Sequence, residues 1–335
     1  MNGLLHGPDH AFITLFDRHY LARGLLMARS LLAHLPEARL FVVCLDTATE
    51  QFLRQHAHRQ IEPIALEALE ASDPRLPAVK SARSAIEYYF TLAPALPRYL
   101  LTMRPELSRV SYLDADLFFY ADPTPAFVPV AEAAITAIEH RYSPLWDGTR
   151  QCGRFNVGWL SFTRSTEALN CLARWQTQCL DYCPDHPDAA AAVYGDQLYL
   201  DEWPARYPNL GLIHHPGANL APWNVRTHRL QAAAGGITVD GQPLLFFHFH
   251  GLKRMADGVW DTSLNVFATR LDLLLRRSIY RPYLQALERA MTEVNSALGE
   301  TIASSVRATA SAAQASWLDR LRFYKRSIKG QYIHV

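Results

Sequence analysis

The sequence predicts an α/β protein with a mixed, mostly parallel β-sheet and a C-terminal helical extension. Short apolar segments alternate with segments of helical periodicity through the first 66 residues, as in sheets that carry helices on both faces. Further along, an apolar segment ends in two acidic residues, and open α/β sheets collect ligands at the carboxyl ends of their strands. From about residue 264 the chain becomes rich in alanine, leucine and arginine, which favours helix.

The first elements follow from apolar periodicity. An apolar run over residues 11–16 predicts a buried strand, and apolar side chains at helical spacing predict a helix over residues 20–35. Residues 39–45, rich in valine and phenylalanine, predict the second strand. A polar helix over residues 47–59 and a short strand over residues 61–66 continue the alternation.

The middle of the chain is interrupted by helix breakers. We expect a loop around Asp73, Pro74 and Pro77, followed by helices over residues 81–90 and 97–103. Residues 110–113 predict the central strand. Later strands are expected over residues 133–138, 157–162 and 244–249, with a helix over residues 166–182.

Composition excludes some classes of partner. Lysine plus arginine (33) nearly balances aspartate plus glutamate (32), so we expect no overall field that binds nucleic acid. The five cysteines are scattered and no signal-like segment opens the chain, which favours the cytoplasm. Cys179 and Cys183 are spaced for one helix face and are interpreted as packed thiols without a function. No apolar run approaches the ~20 residues that cross a bilayer.

The acidic pair Asp114 and Asp116 is the strongest chemical signal. In an extended chain, side chains at i and i+2 project from the same face roughly 6 to 7 Å apart, so both carboxylates can approach one cation. Magnesium and manganese prefer such oxygen ligands. The competing interpretation is a solvated turn, since an Asp-x-Asp sequence is common by chance.

In the frame Tyr112-Leu113-Asp114-Ala115-Asp116, the sequence resembles the retaining glycosyltransferases of the GT-A fold. The likeness is greatest to family 8, which contains glycogenin and bacterial lipopolysaccharide galactosyltransferases. Further segments resemble that family in the same order: Thr14 to Tyr20 its opening strand and donor-base loop, Asn156-Val157-Gly158 its Asn-x-Gly segment, Gly195-Asp196-Gln197 its Asp-Gln segment, and His248-Phe249-His250-Gly251 its His-Phe-x-Gly segment. These islands span about residues 11 to 253.

The resemblance implies a Rossmann-like GT-A fold and a cation, Mn²⁺ or Mg²⁺, that binds the diphosphate of a nucleotide-sugar donor. Asp114, Asp116 and His248 would hold this cation, as a bound cation neutralises a leaving diphosphate. His250 or a backbone carbonyl would orient His248 through its other ring nitrogen, and His250 is the alternative ligand. The resemblance also assigns Gly251 and Lys253 to the donor phosphates, although Lys253 follows Gly251 sooner than in the family. Taken alone, His248 is better interpreted as an ordinary strand histidine, and only its combination with Gly251, Lys253 and the acidic pair favours a ligand.

The same resemblance assigns the donor nucleotide to Thr14, Asp17, His19 and Tyr20, with uridine diphosphate as the first expectation. His19 stands where the family commonly has asparagine, so the base stays open. The family's Tyr-Ala-Arg is replaced by Tyr89-Phe90-Thr91. Arg83 is the expected substitute for the missing arginine, and a helical ion pair with Glu87 is its alternative role.

Sugar-binding roles follow in the same way. Asp196 and Gln197 would lie near the anomeric carbon, and Asn156 would bind a donor hydroxyl. The competing interpretations are a helix N-cap for Asp196 and a turn for Asn156. The acceptor candidates are Trp223, Asn224 and His250, although a tryptophan in a proline-containing loop also serves to pack it.

The domain prediction places a GT-A catalytic domain over residues 1–255, with a donor half of about 1–125 and an acceptor-side half of 126–255, and a helical region over 256–335. Residues 317–329 mix basic and aromatic side chains at helical spacing. This pattern predicts either a helix on an anionic membrane surface or a packed terminal helix. The surface interpretation favours a lipid-linked acceptor at the inner face of the cytoplasmic membrane over a free saccharide.

Other function classes fit less well. A sugar-phosphate nucleotidyltransferase needs a glycine- and arginine-rich loop after the first strand, and residues 16–23 are not glycine-rich. A phosphohydrolase built on Asp-x-Asp carries that sequence after its first strand, whereas Asp114 comes late. A binding or scaffold protein that keeps the fold without turnover is the remaining alternative, because a fold does not fix a function.

Overall fold

A computed structural model describes residues 5–255, 258–299 and 331–335 of the chain. The strands are β1 His10–Phe16, β2 Arg39–Cys44, β3 Ile61–Ala65, β4 Arg109–Leu113, β5 Leu117–Phe119, β6 Ile135–Glu139, β7 Phe155–Thr163, β8 Leu210–Ile213, β9 Leu230–Ala233, β10 Gly236–Val239, β11 Gln242–Pro243, β12 Phe246–His248, β13 Lys253–Arg254, β14 Val259–Asp261 and β15 Tyr332–His334.

The central sheet has seven strands in the order β3-β2-β1-β4-β7-β6-β8. Strands β3, β2, β1 and β4 pair in parallel, β7 is antiparallel to both β4 and β6, and β8 is parallel to β6. All strands of this sheet except β7 therefore run in one direction. The predicted α/β fold with a mixed, mostly parallel sheet is confirmed.

The helices connect and cover these strands. They are α1 Leu21–His34, α2 Thr47–His56, α3 Leu66–Ser72, α4 Arg75–Lys80, α5 Ala85–Leu92, α6 Ala95–Met103, α7 Thr124–Phe127, α8 Thr149–Cys152, α9 Thr166–Asp181, α10 Trp203–Arg206 and α11 Arg281–Leu298. Short 3₁₀ turns cover Val128–Val130, Leu198–Glu202, Val225–Thr227 and Leu264–Phe267, and a π-helical turn covers Leu275–Tyr280.

Each face of the sheet buries its own apolar core, because side chains alternate along a strand. In β1, Phe12 and Phe16 point into the core shared with α1, α2 and α11. Ala11 and Ile13 point into the opposite core, which α3 to α6 and α9 complete. Covering both faces leaves the strand ends as the place where ligands can reach the sheet.

The main difference from the predicted elements lies between β3 and β4. The expected loop contains α3 and α4, which lie on either side of Asp73 and Pro74, so these breakers separate two short helices instead of marking a loop. Helix α5 begins at Ala85, where Ser84 accepts from the backbone N–H of Glu87 and the Glu87 carboxylate accepts from that of Ser84. The predicted start at residue 81 is therefore wrong.

The C-terminal part of the chain packs against its beginning. Helix α11 lies on α1, and Arg29 donates two hydrogen bonds of 2.8 and 2.6 Å to Glu293. Strand β14 pairs with both β13 and β15. Residues 317–329, for which either a membrane-surface helix or a packed terminal helix was predicted, lie outside the described residues. Within the part that is described, no helix combines the length and apolar character needed to span a bilayer.

Candidate functional site

A cavity of about 590 Å³ opens at the carboxyl ends of the parallel strands. This is the edge at which the sequence places its acidic pair, directly after β4. The predicted site residues that line the cavity are Asp17, His19, Tyr20, Asp114, Asp116, Asn156, Asp196, Gln197, Trp223, His248 and His250. Segments from the first, middle and last thirds of the family-like region thus meet around one space.

The local fold brings the acidic pair to His248. Strand β5 follows Asp116 at once and pairs antiparallel with β12, so that His248 lies opposite Leu117. The backbone N–H of Phe249 donates to the carbonyl of Asp116 at 2.9 Å, and that of Asp114 donates to the carbonyl of Gly158 at 3.1 Å. These bonds fix both ends of the Asp-x-Asp segment.

The resulting side chains form a cluster of cation-binding groups. The Nε2 atom of His248 lies 3.0 Å from a carboxylate oxygen of Asp116 and 3.7 Å from one of Asp114. Asp116, His248 and His250 each offer one ligand atom, and these atoms all lie within 4.8 Å of one another. Carboxylate oxygens and imidazole nitrogens at this spacing fit a divalent cation, and both histidines stay candidates as ligands.

Electrostatics in the cluster favour a positive charge. Burial opposes the charge on Asp116, but the adjacent His248 outweighs it and holds the pKa of Asp116 below its usual range. Burial also opposes protonation of His248, yet the two carboxylates raise its pKa. The pKa of Asp114 rises to about 6, because burial and Asp116 together outweigh the attraction of His248. The two carboxylates therefore attract positive charge to this part of the cavity.

Gly158 makes room for the cluster. A Cβ atom at this position would lie 2.5 Å from Oδ1 of Asn156 and 2.9 Å from Nδ1 of His248. Such distances are too short for any side chain to be added without displacing a neighbour. Nδ1 of His248 has no hydrogen-bond partner within the described part of the chain, so neither His250 nor a backbone carbonyl orients it through that atom.

Further polar side chains lie around the cation-binding cluster. Asn156 is buried, with Oδ1 accepting from the N–H of Gly158 at 3.1 Å and Nδ2 lying 3.3 Å from Nε2 of His140. Burial, and then the charge of Asp114, raises the pKa of Asp196 well above its usual range. The 3₁₀ turn after Gln197 begins without a side-chain cap, so the predicted N-cap role of Asp196 is not observed.

The loop after β1 is ordered by carboxylates. Asp17 accepts hydrogen bonds from the backbone N–H groups of His19 and Tyr20 at 2.9 and 3.1 Å, and Tyr89 donates to its other oxygen at 3.3 Å. Asp46, the N-cap of α2, accepts from the backbone N–H of Arg18 at 2.9 Å. His19 and Tyr20 are thereby held at the cavity edge.

Two predicted site residues are used inside the protein instead. Arg83 precedes α5 and shares no helical face with Glu87. Its guanidinium donates to the carbonyls of Cys179, at 2.6 Å, and Leu180, so it anchors α5 to α9. Asn224 is fully buried, with Nδ2 donating to the carbonyls of His140 and Asn219 and Oδ1 accepting from the N–H of Ala221.

Three other predicted residues also lie outside the cavity lining. Thr14 is fully buried within β1. Gly251 adopts a positive φ of 72°, which turns the chain after His250, and its carbonyl accepts from Ser263 at 2.6 Å. Lys253 is exposed on β13. A contact of Lys253 with a donor phosphate therefore stays a prediction that needs this side chain to reach in from outside.

Other lining residues had no predicted role in the site, although some of them stand in the family-like segments. These are Leu15, Phe16, Leu45, Ala85, Ile86, Tyr89, Phe90, Ala93, Tyr112, Ala115, His140, Tyr142, Trp146, Cys152, Val157, Tyr194, Gly195 and Phe267. The sequence did contain a pattern that indicates three of them. His140, Tyr142 and Trp146 are closely spaced rings that directly follow a predicted strand. Burial lowers the pKa of His140 to about 3, so this imidazole is neutral.

The sheet and the site define an α/β protein with a candidate metal centre beside a ligand-sized cavity. No protein-family model matches the chain. The chain belongs to the same family as the uncharacterized protein YfnF of Bacillus subtilis (strain 168), to which it is 32% identical over 253 residues, covering 72% of this chain and 82% of YfnF. It is also 29% identical over 290 residues to the uncharacterized protein YfnD of that organism, covering 85% and 91% of the two chains.

The solved structures that the chain resembles include three sugar transferases. The galactosyltransferase LgtC, in complex with donor and acceptor sugar analogs, is 16% identical with a TM-score of 0.49, covering 80% of this chain and 100% of LgtC. The glycosyltransferase GlyE of Streptococcus pneumoniae is 15% identical with a TM-score of 0.47, covering 86% and 62%. Mouse xyloside xylosyltransferase 1 is 17% identical with a TM-score of 0.41, covering 64% and 87%.

Proposed function

We propose that this chain is a metal-dependent glycosyltransferase that moves a sugar from a nucleoside-diphosphate donor to a saccharide or lipid-linked saccharide acceptor. The observation that carries the proposal is the meeting of Asp114, Asp116 and His248 at the carboxyl end of β4. Asn156 and Asp196, from two other family-like segments, line the same cavity. The resemblance of these ordered segments to glycosyltransferases indicates the reaction class. Their meeting around one cavity supports that class.

The donor set favours manganese as the cation. Asp114 and Asp116 offer oxygens, and His248 and His250 offer nitrogens. Magnesium strongly prefers oxygen ligands, so two imidazoles favour Mn²⁺ over Mg²⁺. When bound, the cation neutralises negative charge on a departing diphosphate.

The transfer itself balances without a protein nucleophile. The oxygen of an acceptor hydroxyl bonds to the anomeric carbon, while the bond from that carbon to the diphosphate oxygen breaks. The electron pair of the broken bond stays on the nucleoside diphosphate, which also takes the acceptor proton. Because both events use one face of the sugar, configuration is retained. Asn156, Asp196 and Gln197 bind sugar hydroxyls and face the positive charge that develops on the ring.

The donor nucleoside belongs, in this proposal, at the loop after β1. Asp17, His19 and Tyr20 line that end of the cavity, and a uridine donor is the first candidate. Residues 1–125 then form the donor half of a catalytic domain that ends near residue 255, and residues 126–255 form its acceptor-side half. In the same division, residues 256–335 are the C-terminal region, and its strand β14 pairs with β13 of the catalytic domain.

A lipid-linked acceptor at the inner face of the cytoplasmic membrane would suit the basic and aromatic residues 317–329. Binding of the full chain to vesicles that contain anionic lipid, compared with a chain cut after Ser316, tests this part of the proposal. Flotation of the full chain but not of the shortened chain supports membrane binding by this segment. Equal behaviour of the two chains contradicts it.

The main experiment measures release of nucleoside diphosphate. The protein is incubated with a panel of nucleotide-diphosphate sugars in Mn²⁺, Mg²⁺ or EDTA, and product configuration is determined by NMR. We expect release with Mn²⁺ and none with EDTA. Asp116→Asn should lower the rate at least about 100-fold, because even groups behind metal ligands contribute 10- to 100-fold. Asp181→Asn, at an exposed carboxylate outside the cavity, is the matched control.

Two outcomes would replace the proposal. Silence across the panel, together with no nucleotide binding, favours a scaffold protein that keeps the fold without turnover. Release of pyrophosphate from a nucleoside triphosphate and a sugar 1-phosphate favours a nucleotidyltransferase.

A further inference from the structure

A group of aromatic rings on one side of the cavity belongs to neither core of the sheet. We call Tyr142, Trp146, Trp223 and Phe267 the aromatic wall. Together with Ala221 they form a small apolar cluster of their own. Ring centroids lie 5.3 Å apart between Tyr142 and Trp146, 4.8 Å between Trp146 and Phe267, and 6.1 Å between Phe267 and Trp223. All four residues line the cavity.

The wall has a buried back and an accessible front. Trp223 and Phe267 are buried, and the indole N–H of Trp223 donates to the carbonyl of His140 at 2.9 Å. Tyr142 and Trp146 are only half-buried. Their rings therefore offer the wall's contact surface to a ligand in the cavity.

The front rings are held in place before any ligand arrives. Tyr142 stacks on His140, with centroids 4.5 Å apart and planes 12° apart. A Cβ atom at Gly148 would lie 2.5 Å from the ring of Trp146 and 3.1 Å from that of Tyr142, so the absence of a side chain there lets both rings lie against the backbone. Fixed rings lose little conformational entropy when a ligand binds, which strengthens binding.

The wall begins at the candidate metal centre and leads away from the nucleoside end. Trp223 lies 5.1 Å from His248 and 5.6 Å from His250, measured between ring centroids. Tyr142 follows β6, whereas His19 and Tyr20 follow β1, and β4 and β7 lie between these strands. That separation is about 14 Å at ~4.8 Å per strand. With the diphosphate at the metal centre, the wall lies on the side of the transferred sugar and the acceptor.

We propose that Tyr142 and Trp146 bind a pyranose ring of the acceptor saccharide. The apolar C–H face of a pyranose carries slight positive charge and fits the negative face of an aromatic ring. The inference rests on the proposed glycosyltransferase function and adds the residues that contact the acceptor sugar. It replaces Asn224 as an acceptor contact and makes the buried Trp223 the support of the binding surface.

The test is binding of methyl glycosides, measured by saturation-transfer NMR and by tryptophan fluorescence. Wild-type protein, with Mn²⁺ and a nucleoside diphosphate present, is titrated with methyl glucoside, galactoside and mannoside and with lactose and cellobiose. Trp146→Ala should weaken binding about tenfold, as loss of an aromatic stacking partner does. Trp146→Phe keeps a ring and should recover most of the affinity. Tyr182→Ala, at an exposed aromatic residue outside the cavity lining, should bind like wild type.

Three results would overturn the inference. They are no binding of any glycoside to wild-type protein, equal binding by wild type and a folded Trp146→Ala variant, and contact of Trp146 with free nucleosides instead of glycosides. If Trp146→Ala does not fold, Trp146→Phe tests the inference instead. Its affinity for glycosides must then be lower than that of wild-type protein but still measurable. Metal-dependent release of nucleoside diphosphate is measured separately, so its absence removes the proposed function, whereas its presence without Trp146-dependent glycoside binding removes only this inference.

Discussion

At the scale of single residues, Gly158 leaves room for the side chains of the candidate metal centre. Gly158→Ala adds a Cβ atom 2.5 Å from Asn156 and 2.9 Å from His248, so one of these side chains must move. Overpacking of this kind costs about 1 to 3 kcal/mol of unfolding free energy. We expect that loss in thermal or urea unfolding, together with weaker Mn²⁺ binding by calorimetry. Gly235→Ala, where an added Cβ meets nothing within 4 Å, is the control. Equal behaviour of the two variants would contradict the role given to Gly158.

The acidic pair and the histidine of the candidate centre differ in how far the sequence could predict them. Asp114 and Asp116 follow from an alternation that is local to one strand. His248 is 132 positions beyond Asp116, and only the pairing of β5 with β12 brings them together. The order of the family-like segments along the chain indicated a role for this histidine. The local apolar pattern alone predicts an ordinary strand residue.

The position of Arg83 shows a different limit. Whether it faces the cavity depends on where α5 begins, and Ser84 with Glu87 marks that start as a capping box. This Ser-x-x-Glu pattern is visible in the sequence, so the error was avoidable. The aromatic wall was harder to predict from the sequence. Its rings come from residues 142 to 267, and aromatic residues in loops more often pack than bind ligands.

At the scale of elements, Asp46 links helix α2 to the loop that carries His19. It caps α2 through the N–H of Thr49 at 2.8 Å and also holds the N–H of Arg18. Asp46→Ala should therefore lower unfolding free energy by about 1 kcal/mol at neutral pH, as loss of an N-cap does. It should also weaken nucleotide binding in the proposed donor loop. A variant as stable as wild type would argue against this linkage.

The same carboxyl group predicts a pH dependence. Burial opposes its charge, but hydrogen bonds from Arg18 and Thr49 outweigh burial and lower the pKa of Asp46 below 3.8. A lowered pKa stabilises the folded state above the unfolded-state value, and this contribution is lost as pH falls through the folded-state pKa. The stability difference between Asp46→Ala and wild type should therefore shrink below about pH 3.8. Urea unfolding at neutral pH and near pH 3 measures it, and an unchanged difference would contradict the assignment.

At the scale of the whole molecule, a bound cation should stabilise the fold. A ligand at 100 times its dissociation constant, binding only the folded state, adds about 2.7 kcal/mol. We expect Mn²⁺ at that ratio to raise the unfolding temperature, EDTA to reverse the rise, and Asp116→Asn to abolish it. A rise of the same size in Asp116→Asn would mean that the ion binds elsewhere.

The overall fold was more predictable than the site. The alternation of apolar strands and amphipathic helices up to β4 is a local property, and it predicted the parallel half of the sheet. The direction of β7 and the packing of α11 on α1 depend on contacts far apart in sequence, for which no local pattern exists.

The packing of α11 on α1 also bears on how the protein is made. Arg29 and Glu293 are 264 positions apart, so helix α1 leaves the ribosome long before the helix that covers it. At about 5 to 20 residues per second, its apolar side waits roughly 13 to 53 seconds for that cover. Until α11 is made, the part of α1 that it covers stays exposed in the nascent chain, and slower elongation lengthens this exposure.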